Sequence, residues 1–84
     1  MTTEQIEKYI EQGKHSENPL NIHFKDRQTV TGLFIQLADY RELKGKNLWR
    51  IVHHSHLEEW KQTKNLNLSR IFNGMSFTRL SDDK

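Results

Sequence analysis

The spacing of hydrophobic residues divides the chain into a short helical segment followed by segments with the features of strands. In the first segment, Ile6, Tyr9 and Ile10 recur at intervals that place their side chains on one face of a helix. Either of the two threonines that precede them can cap the helix, and Gln5 has the spacing of a capping-box partner. We therefore predict an amphipathic helix over residues 3–13.

Three later segments are predicted to be strands. Leu20–Phe24 and Thr29–Tyr40 alternate apolar and polar residues, and Leu48–His54 is rich in aromatic and β-branched residues. Gly32, inside the second segment, predicts a bend or bulge of the kind that lets a small sheet curl. The segment Arg41–Asn47 is predicted to be a charged loop.

The dipeptide Asn73-Gly74 stands between two further segments of strand-forming residues. Both of its residues readily adopt the positive φ angles of a type I′ turn, which is the turn that best matches the twist of paired strands. The sequence therefore predicts a terminal hairpin over Leu66–Leu80, with Phe72 opposite Met75.

The segment Ser55–Asn65 has two interpretations. Leu57 and Trp60 have helical spacing, and Ser55 with Glu58 fits a capping box, so the segment can form a short helix. It can equally be an extended excursion between strands. The sequence leaves this choice open.

The composition predicts one small domain that gains stability by association. A chain of 84 residues buries only about 60–65% of its unfolded surface, and a mean hydropathy of -0.91 leaves it a limited core. Because small β-barrels often associate through exposed edges, we expect a homo-oligomer. The chain has no cysteine and no apolar run of signal-peptide or membrane-spanning character, so we expect a cytoplasmic protein without a membrane partner.

The residues Leu20–Phe34 resemble the Sm-like family, which includes the LSm and Hfq-type proteins. In that pattern an apolar strand, a polar turn containing Asp26 and a strand with a bend-forming Gly32 follow one another. The resemblance implies a mainly β fold, in which an N-terminal helix precedes a small SH3-like (Sm-type) antiparallel barrel of about five strands over residues 20–80. The whole chain, residues 1–84, would then be a single domain.

Two further expectations come from family resemblance. The stretch Asn67–Ile71 is similar to a motif of WYL domains, which share this type of barrel. Sm-like subunits join edge to edge through their fourth and fifth strands, which implies an oligomer contact at Leu66–Leu80. They also bind single-stranded RNA through loop residues, and the nearest counterparts of those residues in this chain are Tyr40, Asn47 and Arg70.

A basic and aromatic stretch around residues 40–50 is the strongest functional signal in the sequence. Lysine and arginine side chains can neutralise phosphates, and a tyrosine can stack on a base. Lys25 and Arg27, in a preceding turn, could extend this surface. The residues predicted to bind nucleic acid are Tyr40, Arg41, Lys44, Lys46, Asn47, Arg50 and Arg70.

A protein-interaction or ligand-sensing module without a nucleic-acid role is the alternative. Its strand edges could pair with a partner strand, and Trp60 could be an exposed anchor for a partner protein. Trp60 could instead cover one end of the barrel together with Leu57. The sequence does not distinguish between these two positions.

No residue cluster identifies a reaction, so we predict a non-enzymatic protein that needs no cofactor. If the strand continued past His53, then His54 and His56 would share one face and could offer two imidazoles to zinc or nickel. Structural zinc sites normally have four ligands, often including cysteine. We therefore predict no metal site at these histidines.

Overall fold

Five strands form one antiparallel sheet, which three α-helices accompany. The computed structural model describes residues 1–12 and 18–82, and these counts refer to that part of the chain. In chain order the elements are α1 (Thr3–Gln12), β1 (Leu20–Phe24), β2 (Val30–Phe34), α2 (Tyr40–Gly45), β3 (Leu48–His53), α3 (Leu57–Thr63), β4 (Ser69–Asn73) and β5 (Phe77–Asp82). Turns of 3-10 helix cover His54–His56, Leu66–Leu68 and Gly74–Ser76.

The strands lie in the order β4-β3-β2-β1-β5, and all neighbouring pairs are antiparallel. The first four strands therefore follow one another across the sheet, and β5 returns to pair with β1. Strands β4 and β5 are its two edges and do not pair with each other in the described residues. The predicted antiparallel sheet is confirmed, and it is open.

The sheet is buried on both faces at its centre. Successive residues of β2 and β3 point to opposite faces and join two different core clusters. Phe34 and Ile51 belong to the larger core cluster, to which α1 also contributes. Their neighbours Leu33 and Val52 belong to a second cluster on the other face. Trp60 of α3, only 6% exposed, packs into that second cluster.

Helix α1 confirms the helix prediction, although residue 13 lies outside the described residues. Thr2 and Gln5 form the reciprocal capping box: Thr2 N–H donates to Gln5 Oε1 at 2.9 Å, and Gln5 N–H donates to Thr2 Oγ1 at 3.2 Å. Ile6 and Ile10 are buried in the larger core cluster. A helix this short depends on that packing for its stability.

Strand β2 is shorter than the predicted Thr29–Tyr40, because the chain leaves the sheet after Phe34. The pairing at Gly32 is regular, and the irregularity of the sheet lies instead between His23 and Phe24 in the pairing of β1 with β5. Gly32 serves close strand approach: a Cβ there would lie 2.6 Å from a methyl carbon of Ile51 on β3.

The predicted hairpin over Leu66–Leu80 is wrong. Strand β4 pairs with β3, and β5 pairs with β1. Asn73 has an extended φ of −88°, and Gly74 has no positive φ, so no type I′ turn forms. The Asn73 side chain instead accepts a hydrogen bond from Met75 N–H at 2.9 Å and caps a 3-10 turn.

Gly74 is needed here for packing. Its N–H donates to the carbonyl oxygen of Asn47 at 2.8 Å. A Cβ on Gly74 would collide with the Asn47 side chain and would lie 2.5 Å from a carbon of Ile6. The conformation of this turn is therefore determined by long-range contacts with Asn47, just before β3, and with α1.

The two charged segments of the sequence are helical. Arg41–Asn47, predicted as a loop, is largely occupied by α2. In Ser55–Asn65 the helical interpretation is confirmed by α3, although the Ser55 side chain does not cap it; Ser55 N–H donates to Nδ1 of His53 at 3.2 Å. No helix among the described residues is long and apolar enough to cross a membrane.

Candidate nucleic-acid interface

The cations predicted around residues 40–50 are mostly paired with carboxylates. Lys44 Nζ lies 3.3 Å from a carboxylate oxygen of Glu7 on α1. The other two pairs are Lys46 with Glu42 at 3.9 Å and Arg50 with Asp39 at 2.7 Å. Arg41 is exposed, and no ion pair to it is found among the described residues. These carboxylates reduce the net positive charge that this surface offers to a phosphate backbone.

Tyr40 is held inside this surface. Its ring packs edge-on against Trp49, with centroids 6.1 Å apart, and the ammonium of Lys44 lies 5.1 Å from its centroid. Burial, followed by the negative charges of Glu11 and Glu7, raises the pKa of Tyr40 to about 12. The Tyr40 ring therefore serves packing within the protein more than stacking on a base.

Asn47 has a structural role. It adopts a positive φ of 58°, its amide nitrogen donates to the carbonyl oxygen of Met1 at 2.9 Å, and its amide oxygen accepts from Trp49 Nε1 at 2.8 Å. Its own carbonyl oxygen accepts from Gly74 N–H. The Asn47 side chain thus links the start of the chain to β3, with both ends of its amide occupied, and the Asn47 backbone carbonyl binds the turn before β5.

Replacement of Asn47 by alanine is expected to lower the free energy of unfolding by about 2–3 kcal/mol, because two part-buried hydrogen bonds are lost and Trp49 Nε1–H loses its acceptor. Asn47→Gly should cost less, since glycine adopts positive φ without strain. Asn65→Ala, which removes one exposed capping bond, is the control and should cost about 1 kcal/mol or less. Urea denaturation measures all three, and an Asn47→Ala loss no larger than that of Asn65→Ala would contradict the structural role.

Arg70 lies apart from α2, in a groove of about 990 Å³. The groove is bounded by the β1–β2 turn on one side and by β4 on the other, and Ile51 of β3 contributes to its lining. The residues that line it are Phe24, Asp26, Arg27, Val30, Ile51, His53, His56, Asn67, Leu68, Arg70, Ile71, Phe72, Asn73 and Ser76.

Arg27 is supported by two aromatic rings of the groove. Its guanidinium carbon lies 5.0 Å from the centroid of Phe24 and 5.8 Å from that of Phe72. The two rings lie 5.9 Å apart and join the groove to the core. Such cation–π contacts favour one orientation of an otherwise mobile side chain. Arg27 itself is exposed, so its outer side is accessible to a ligand.

The charge of the groove is predominantly positive. Arg27 and Arg70 make no ion pair within the described part of the chain. Asp26 is the carboxylate among the lining residues, and His53 and His56 add two groups that become cationic on protonation. Sequence reasoning named Arg27 and Arg70 separately, but it had no signal that they share a groove with Phe72, because long-range pairing brings these segments together.

The histidines do not lie on a strand face, and Trp60 is not exposed, so two arrangements considered from the sequence are excluded. His54 and His56 lie in a 3-10 turn and therefore do not share the face of a strand. Within the described residues, no group of three histidine, cysteine or acidic side chains could hold a metal ion. Trp60 is buried against β2 and β3 in a cluster that Leu57 also contacts, so the exposed partner anchor is wrong.

Comparison of the chain with protein-family models, with curated proteins and with solved structures found no match. The groove combines an oriented guanidinium, a second unpaired arginine and two half-buried aromatic rings. That combination favours an anionic ligand that also has planar groups.

Proposed function

We propose that this protein is a non-enzymatic module that binds single-stranded nucleic acid, RNA above all, in the groove between the β1–β2 turn and β4. The observation that carries the proposal is the guanidinium of Arg27, which lies over Phe24 and Phe72 in the groove that also contains Arg70. The interface proposed from the structure therefore shares Arg70 with the set predicted from sequence and shifts the remainder away from α2.

The chemistry of the groove favours a single strand over a duplex. A guanidinium plane can stack on an unpaired base, and base stacking is available to every base because each has a π face. Arg70 can form two parallel hydrogen bonds to a phosphate. In a duplex the bases already stack on one another and would present only phosphates to this groove. Single-strand preference is thus the signature of the proposed stacking on Arg27.

We further propose that the sheet is an open form of a small SH3-like, Sm-type barrel. A flat sheet of five strands would place its edge strands about 19 Å apart, at about 4.8 Å per strand. The link Gly74–Ser76 joins these edge strands directly, and so short a link spans at most about 14 Å. The sheet must therefore curl strongly to bring β4 and β5 together at that end, as the Sm-like resemblance implies.

One observation favours a second function, the binding of a partner protein or of another copy of the chain. Ile71 on the edge strand β4 is 47% exposed, and Met75 beside it in sequence is 60% exposed. An unpaired strand edge with an apolar side chain can accept a strand from a partner. The expected homo-oligomer would use the same edge.

The test of the proposed function is a titration of the protein with labelled oligo(U) and oligo(A) RNA at about 50 and 200 mM salt. One phosphate contact on a single strand, at Arg70, predicts a slope of about −0.7, so the affinity should fall about 2.6-fold between these salt concentrations. A matched RNA duplex should bind more weakly than either strand. Absence of binding at the lower salt concentration, with a dimeric or larger mass of the chain in solution, would instead support the second function.

A further inference from the structure

The groove contains two imidazoles in addition to its two arginines. His53 is the last residue of β3, and His56 is the last residue of the 3-10 turn that follows. Both line the groove together with Arg70. The proposed stacking on Arg27 does not use these imidazoles. They form no metal site with the other described residues.

The His53 ring is held in place by local hydrogen bonds. Its Nδ1 accepts from Ser55 N–H at 3.2 Å and lies 2.8 Å from Ser55 Oγ. Its ring centroid lies 4.4 Å from that of His54 and 6.4 Å from that of His56. Desolvation, followed by the charges of these two histidines, lowers the pKa of His53. Without a ligand, the His53 imidazole therefore resists protonation.

The other charged groups around the cluster come from three elements. Arg70 lies on β4, and Asp26 and Arg27 lie on the β1–β2 turn. The first turn of helix α3 contains Glu58 and Glu59, neither of which pairs with an imidazole in the described residues. Strand β2, which packs against the 3-10 turn His54–His56, contains no titratable side chain. The groove itself thus has one carboxylate beside four groups that are cationic or become so.

We propose that His53 and His56 form a phosphate subsite of the groove, which binds its anion as imidazolium. Protonation of His53 at Nδ1 would replace the hydrogen bond from Ser55 N–H by one donated to Ser55 Oγ. The subsite rests on the function proposed above and extends it from the two arginines to these two histidines. A phosphate between the rings would favour their charged form and would accept hydrogen bonds from them. The ligand would then bind together with protons.

The direction of the pH dependence follows from linkage. Bound phosphate raises the imidazole pKa above its value in the free protein, so affinity increases as pH falls through the interval between the two values. Each imidazole whose pKa rises by one unit on binding contributes about tenfold to affinity below that interval. The arginines contribute at every pH in this range, because they stay charged.

The experiment measures the affinity of the full chain for oligo(U) at about pH 5.5 and pH 8, on either side of the ordinary histidine range, at fixed ionic strength. Oligo(U) is the probe because uracil does not titrate between these values, and its label must be insensitive to pH. The native protein should bind at least about tenfold more tightly at the lower pH. His53→Gln combined with His56→Gln should lose most of this gain and keep its affinity at the higher pH.

His23→Gln is the matched control, because His23 lies on the open face of β1, where it contacts Ser81, Thr29 and Arg79 instead of the groove. This variant should retain the full gain. If the double variant unfolds, His56→Gln alone should still lose part of the gain, since no hydrogen bond of the His56 ring is found within the described residues.

Three results would overturn the subsite. Binding with equal affinity at both pH values, or a gain that survives in the double variant, would leave the arginine groove in place and remove the histidines from it. Absence of binding at both pH values would overturn the groove function and the subsite together.

Discussion

Replacement of Trp60 by alanine is expected to lower the free energy of unfolding by about 3–5 kcal/mol. The Trp60 ring is 6% exposed and packs against Leu33, Ile35 and Val52 in the second core cluster. A domain of 84 residues has a total stability of only about 4–12 kcal/mol. Loss of this one side chain is therefore expected to remove much of the stability of the protein.

Urea denaturation, followed by circular dichroism, measures this loss without relying on the fluorescence of the deleted tryptophan. Trp60→Phe keeps most of the apolar volume and should cost less, about 1 kcal/mol. A second effect is expected near the groove: α3 follows the turn that contains His54 and His56, so Trp60→Ala should also loosen that turn. An unchanged urea midpoint in Trp60→Ala would contradict the burial of Trp60 and would restore its interpretation as a partner-facing anchor.

The features that the sequence predicted well are those determined by nearby residues. The spacing of Ile6 and Ile10 sets the buried face of α1, and the alternation from Leu20 to Phe24 sets that of β1. The helical spacing of Leu57 and Trp60 supported one of two interpretations left open, and α3 is the one observed. In each case one element buries its apolar side chains with a period that the sequence displays directly.

The hairpin prediction failed because a strong local preference was outweighed by distant contacts. Asn73-Gly74 favours a tight turn in isolation, but the strands on either side of it pair elsewhere. Leu80 pairs with Ile22, nearly sixty residues away, and buries itself in the core. No short-range pattern in the sequence encodes that pairing. The same pairing leaves β4 free to form one wall of the groove.

The candidate site was only partly visible in the sequence for a related reason. A run of cations is visible in the sequence, as are Asp39 and Glu42, but one of the carboxylates that pair with it lies far away. Lys44 pairs with Glu7, which lies on a different helix far away in the chain. Arg27 follows β1 and Phe72 lies on β4, so only long-range strand pairing brings them together. Charge density could be predicted from the sequence, whereas unpaired charge could not.

Charge reversal at the groove is expected to weaken RNA binding about 100-fold at about 50 mM salt, because Arg27→Glu and Arg70→Glu each remove a contact that contributes about tenfold. Both side chains are exposed, so the double variant should remain folded. The measurement is a titration with labelled oligo(U). Its salt dependence should become nearly flat, since the phosphate contact at Arg70 no longer releases counterions.

The matched control is Arg41→Glu combined with Lys46→Glu, which changes the net charge by the same amount on the surface predicted from sequence. Loss of the exposed Lys46–Glu42 pair should cost little stability. Because long-range repulsion is equal in the two double variants, the difference between them reports local contact alone. We expect the control to bind at most about threefold more weakly than the native protein, the loss attributable to net charge. If the control loses binding and the groove variant keeps it, RNA binds at α2, and the groove is left to a partner protein.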